Sequence, residues 1–93
     1  MTVQMIKFGK LLNGRPAGKE AALRIVQIIN GSAGQEDIVL DFSEVEILTP
    51  SFADEVMHAL ADKYGAKRIK TENTNTPTVV EVLDAVENET LTI

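Results

Sequence analysis

Apolar and polar positions along the chain alternate between two periods. From Val3 to Phe8 the period is two: Val3, Met5 and Lys7 fall on one side of an extended backbone, and Gln4, Ile6 and Phe8 on the other. This predicts a strand, which Gly9 breaks. After the apolar pair Leu11-Leu12 and the turn signal Asn13-Gly14, the period changes. Ala22, Ile25, Val26 and Ile29 recur at helical spacing, with Lys19, Glu20, Arg24 and Gln27 elsewhere on the wheel. A helix from Pro16, which suits a first turn, to about Asn30 follows, with Gly31 as its stop and a loop through Glu36. Asp37–Phe42 is a strand whose continuous apolar centre predicts burial on both faces. Val45, Ile47 and Leu48 lead to Thr49-Pro50-Ser51 and a second helix with an apolar row at Phe52, Val56, Ala59 and Leu60, ended by Gly65. Lys67–Thr71 predicts a third strand, Glu72–Asn75 a polar loop, and Thr76-Pro77 the start of a third helix. Val79, Val82, Leu83 and Val86 are its inward stripe, with Glu81, Asp84 and Glu87 facing water. Leu91–Ile93 is expected to add a short last strand.

Strands alternating with helices of this length imply an α/β fold, with a small, mostly parallel sheet and crossover helices. Binding in such sheets gathers at the carboxyl ends of the strands. The loops that belong there are residues 9–15, 43–51 and 72–76, and they are expected on one side of the domain.

A chain of 93 residues is expected to form one domain, residues 1–93. Its aromatic content of 4% leaves the core to Val, Ile, Leu and Ala, and the lack of cysteine excludes disulfides and thiolate metal sites. No apolar run is long enough for a bilayer, and the N-terminus lacks the layout of a signal peptide, so a cytoplasmic protein is expected. Charge is divided unevenly. Residues 1–35 hold five basic side chains against Glu20 alone (+4), and residues 36–93 hold four basic against thirteen acidic (−9), giving the net −5. An acidic chain repels phosphate backbones, so nucleic acid is not the expected partner. The basic cluster Lys67-Arg68-Ile69-Lys70 is expected to be a solvated strand end.

The stretch Ile38-Val39-Leu40-Asp41-Phe42-Ser43-Glu44-Val45-Glu46-Ile47-Leu48-Thr49-Pro50-Ser51-Phe52-Ala53-Asp54-Glu55 resembles the STAS superfamily, the fold of bacterial anti-anti-sigma factors and of the cytoplasmic domains of sulfate transporters. The Ser-Phe-Ala-Asp-Glu variant is more similar to small bacterial STAS-like proteins, and Phe8-Gly9, Arg15 and Asn73 fit the same pattern. The resemblance implies a STAS-like fold and a regulatory protein-binding role in signal transduction. It implies as partner a histidine-kinase-like ATPase or a sigma-regulatory protein. Asp41 matches the strand-end Asp of that family, and Ser51 matches the serine that the partner kinase phosphorylates. Thr49, Pro50 and Phe52 depart from it, standing where an Asp, a Ser and a Gly are found. A partner surface of Arg15, Asp41, Thr49, Ser51, Phe52, Asp54 and Glu55 is therefore expected.

Read on their own terms, these residues also have quieter roles. Ser51 fits the N-cap of the second helix with Asp54 at N3, a capping-box-like arrangement that satisfies a backbone N–H. A phosphoryl group there gains from the helix N-terminus but is repelled by Asp54 and Glu55. His58 lies between Asp54 and Asp62 at spacings of four, yet one imidazole between two surface carboxylates is a poor metal cage, so no metal or cofactor is expected. A Ser51–His58 catalytic pair fails, because seven residues of helix separate them by about 10 Å. Asp41 either accepts from loop amides near Ser43–Val45 or takes part in binding. Arg15 either meets a partner or lies beside the first helix start. Asn13–Lys19 lacks the spacing and the Ser/Thr of a phosphate-binding loop. Catalysis is not expected. A regulatory binding module is the leading expectation, and a small-molecule or nucleotide sensor with Asp41 and Asn73 as polar contacts is the alternative. The charge division also permits self-association.

Overall fold

The computed structural model describes residues 1–30, 36–74 and 76–91, with side chains through residue 86. Gly31, the loop through Gln35, Asn75, the Glu87 side chain and Thr92–Ile93 lie outside the described residues. In chain order the elements are β1 (Thr2–Gln4), β2 (Leu11–Leu12), α1 (Arg15–Asn30), β3 (Ile38–Asp41), β4 (Ile47–Leu48), α2 (Pro50–Tyr64), β5 (Ile69–Glu72) and α3 (Pro77–Leu91). Strands β1, β3 and β5 pair in parallel with β3 at the centre, while β2 and β4 form a separate parallel ribbon. The expected α/β architecture with parallel strands and three helices is present.

Two expected strands are shorter than their patterns. After Gln4 the backbone winds into a 3₁₀ turn, Met5–Phe8, and Gly9 follows at φ 120°. Met5 and Phe8 also share one side at a period of three, so a short apolar run admits both readings. The turn buries Met5 completely and redirects the chain so that Leu11-Leu12 pairs with Ile47-Leu48. Likewise Lys67 and Arg68 belong to a 3₁₀ turn, Ala66–Arg68, ahead of β5. Leu91, expected in a last strand, ends α3.

The sheet is buried on one face only, contrary to the expectation from the apolar run of β3. Val3, Ile38, Leu40 and Ile69 point into a core shared with Ala21, Ala22, Ile25 and Ile29 of α1, Phe52, Val56 and Leu60 of α2, and Val79, Leu83 and Val86 of α3. On the other face Thr2, Gln4, Lys70 and Glu72 are exposed, and Val39 and Asp41 are half-buried. No helix among the described residues is long and apolar enough to cross a membrane.

Helices α1 and α2 meet closely at Gly18. A methyl group there would lie 2.9 Å from the Phe52 carbonyl oxygen and 3.0 Å from Cβ of Glu55. The missing side chain lets the two backbones approach, and that contact sets the position of Arg15 one turn earlier on α1.

Candidate functional site

The loops after β1, β3 and β5 converge at the carboxyl edge as their order predicts. The Gly14 amide donates to Thr49 Oγ1 at 3.1 Å, Asn73 Nδ2 donates to Asp41 Oδ1 at 2.9 Å, and Thr76 Oγ1 donates to the Val45 carbonyl at 3.3 Å. The first bond joins the loop before α1 to the loop after β3, and the other two join the loop after β5 to the end of β3 and the loop that follows it.

Asp41 ends β3, and its Oδ1 also accepts from the amide and hydroxyl of Ser43, at 2.9 and 2.7 Å. The Asn73 amide first, and Ser43 second, hold its carboxyl below the ordinary carboxylate range. Asn73 reaches it from a left-handed backbone, φ 56°, which Asn tolerates better than most residues. Asp41 thus fastens the ends of β3 and β5. As sensor contacts, Asp41 and Asn73 are bonded to each other.

Thr49, not Ser51, caps α2. Its hydroxyl accepts from the Phe52 amide at 3.4 Å, and Pro50 occupies the first helical position. Proline's fixed φ and missing N–H suit that position, so the residue before it becomes the cap. Ser51, expected as the cap, falls in the first turn instead. It is half-buried and lines a cleft of about 230 Å³ with Arg15, Pro50, Asp54, Ala85 and Val86. The α3 wall of this cleft has no local signal in the sequence, since it depends on how α3 returns.

Phe52, expected on the recognition edge, is 2% exposed and sits in the core. It belongs to the inward row with Val56 and Leu60, and burial of that row takes its ring away from any partner.

Arg15 joins α1 to α2. One guanidinium nitrogen donates to Asp54 Oδ2 at 2.8 Å and to Glu55 Oε1 at 3.2 Å. Arg15 is the main reason that the Asp54 carboxyl lies below its ordinary pKa, with His58 adding to the effect. His58 Nδ1 is 2.6 Å from Asp54 Oδ1. A carboxylate only accepts, so this nitrogen carries the proton. Asp54 is therefore held from two sides, and Asp62 forms no ion pair with His58 among the described residues. Farther along, Arg68 lies over the Tyr64 ring and donates to the Glu36 carbonyl at 2.9 Å.

The edge also has an exposed apolar feature that single-residue reasoning passes over. Leu11 and Ile47 are register partners in the β2–β4 ribbon, 61% and 46% exposed. Their partners in the same strands, Leu12 and Leu48, are buried. The apolar pairs Leu11-Leu12 and Ile47-Leu48 were the signal, since a two-residue strand turns one side chain in and one out.

No curated protein and no solved structure matches the chain. A family model described as a STAS-like domain of unknown function (DUF4325) matches residues 21–79. That span takes in β3, β4, α2 and β5, and with them Asp41, Ser51 and Asn73, while Leu11 and Arg15 precede it. With this match over more than half its length, and with the parallel strands that carry the edge, the chain belongs to the STAS-like domain family.

Proposed function

We propose that this chain is a cytoplasmic regulatory binding module that captures a protein partner on its carboxyl edge and does not itself catalyse a reaction. The observation that carries this reading is the exposed Leu11–Ile47 pair on the same edge as the Ser51 cleft. Large apolar side chains that are paired and solvent-facing mark interaction surfaces when polar groups ring them. The polar groups nearby are committed to one another: Asp41 to Ser43 and Asn73, Thr49 to Gly14 and Phe52, Arg15 to Asp54 and Glu55. Such bonds give a rigid rim, as a preformed docking surface requires. The partner class that the resemblance implies is a histidine-kinase-like ATPase or a sigma-regulatory protein. Phosphorylation of Ser51 is the switch: a dianion beside Asp54 and Glu55 repels both carboxylates and competes for Arg15.

The test is the affinity of the purified chain for a purified ATPase of that class from the same cell. Ser51→Asp and Leu11→Asp should each weaken binding at least tenfold, while Lys70→Asp on the open sheet face should leave it unchanged. Equal binding by the parent and both edge variants would remove the reading. Phe52→Ala does not serve here, because it empties the core.

A further inference from the structure

Among the described residues a second apolar surface differs from the Leu11–Ile47 ribbon in charge. Between α1 and α2 runs a groove of about 310 Å³ lined by Lys19, Ala22, Leu23, Val26, Glu55 and Ala59. Leu23 on its wall is 65% exposed, the most exposed large apolar side chain among the described residues. Among the described residues Lys19 is its charge without an ion pair, since Glu55 is held by Arg15, and Arg24 nearby is paired with Glu20 at 3.0 Å. The ribbon has the opposite surroundings. Glu44 and Glu46 flank β4, and both are exposed. Glu81 and Asp84 are exposed on α3, whose start is tied to the ribbon by Thr76 on the Val45 carbonyl and Thr78 on the Glu46 carbonyl. Lys10, which precedes Leu11, is a base beside it, and its carbonyl accepts from the Glu46 and Ile47 amides. Leu23 lies eight residues beyond Arg15, about 12 Å along α1 from the edge that carries Leu11, so the two surfaces do not cover each other within one chain.

We propose that copies of this chain associate head to tail, with the Leu11–Ile47 ribbon of one copy seated in the α1–α2 groove of the next. Charge selects this pairing. Ribbon against ribbon sets acids against acids, whereas ribbon against groove brings Glu44 and Glu46 towards Lys19 and covers both apolar surfaces at once. A heterologous contact of this kind uses different faces on the two copies, so it builds rings or open chains rather than an isologous dimer. It goes beyond the partner reading, because it needs no other protein. It also makes self-association and partner capture exclusive, since both use the ribbon.

The experiment is sedimentation velocity on the full chain over a wide concentration range, in low and high salt. The parent is expected to form concentration-dependent oligomers that salt weakens. Leu23→Asp and Ile47→Asp each remove one face, so each variant alone is monomeric. Their equimolar mixture forms a one-to-one dimer and nothing larger, because only one intact pair of faces remains. Circular dichroism confirms that both variants are folded; Leu23→Gln and Ile47→Gln replace them if either is not. A parent that stays monomeric at every concentration overturns the proposal and leaves the ribbon to another protein. So does a mixture that stays monomeric, or a Leu23→Asp variant that still associates. Under the separate partner reading, Leu23→Asp binds the ATPase normally, so the two ideas fail independently.

Discussion

Thr49 connects three segments through one hydroxyl: it accepts from the Gly14 and Phe52 amides and reaches the Leu12 carbonyl at 3.5 Å. Replacing a Thr cap by Ala typically costs about 1 kcal/mol, and up to about 2 where the site is well ordered. Thr49→Ala should therefore lower the free energy of urea unfolding by an amount in that range. Ser51→Ala should stay within about 0.5 kcal/mol of the parent, as surface changes away from caps usually do. The reverse order would return the cap to Ser51. Acid stability gives a second residue-scale test. The folded pKa values of Asp41 and Asp54 lie below the unfolded carboxylate value of about 3.9. A depressed carboxylate stabilises the fold fully above its unfolded pKa, and the contribution is lost as pH falls through the folded value. Stability should thus decline below about pH 4, and Asp41→Asn, which keeps the acceptor oxygen, should flatten that decline. Thermal melts of both proteins across the acid range check it; identical slopes would mean that Asp41 titrates as it does in the unfolded chain.

Helix packing depends on a residue that composition alone presents as a defect. In a helix interior Gly is worse than Ala by about 0.5–1 kcal/mol, so Gly→Ala ordinarily stabilises. At Gly18 the sign should reverse, because the added methyl meets the Phe52 backbone, which cannot swing aside like a side-chain tip. Overpacking costs typically about 1–3 kcal/mol, which exceeds the propensity gain, so Gly18→Ala should lower the unfolding free energy by about 1–2 kcal/mol. Equal or higher stability would mean that α1 and α2 do not meet there. The same helices show what was legible in the sequence. Ile25 and Ile29, Val56 and Leu60, and Val79, Leu83 and Val86 are buried at the spacing that announced them. The shortened strands were less legible, since Met5–Phe8 satisfies both a period of two and a period of three, and only pairing with a distant segment decides between them. One-sided burial of β3 was hidden for a related reason: Val39 is apolar yet half-buried, and its neighbours Thr2 and Lys70 come from other strands.

For the molecule as a whole, the edge was legible as a place before it was legible as a set of contacts. Alternating elements put three loops at one end of the sheet, and Asp41 and Ser51 are both found there. The pairing of Arg15 with Asp54 and Glu55, the α3 wall beside Ser51 and the ribbon partner of Leu11 all join residues more than thirty positions apart, so no local pattern encodes them. The burial of Phe52 was present in the apolar row of α2, which outweighs its place beside Ser51. The opposite side of the sheet is polar and open at Thr2, Gln4, Lys70 and Glu72, which gives the molecule one candidate recognition end and one solvated face. The most direct test of that division is amide chemical-shift mapping of the isotope-labelled chain during titration with the purified ATPase. Perturbations should gather in residues 10–15 and 44–51, at the ribbon and the start of α2. Perturbations centred on Thr2, Gln4, Lys70 and Glu72 would contradict the account, because they would place the partner on the face that the edge hypothesis leaves to water.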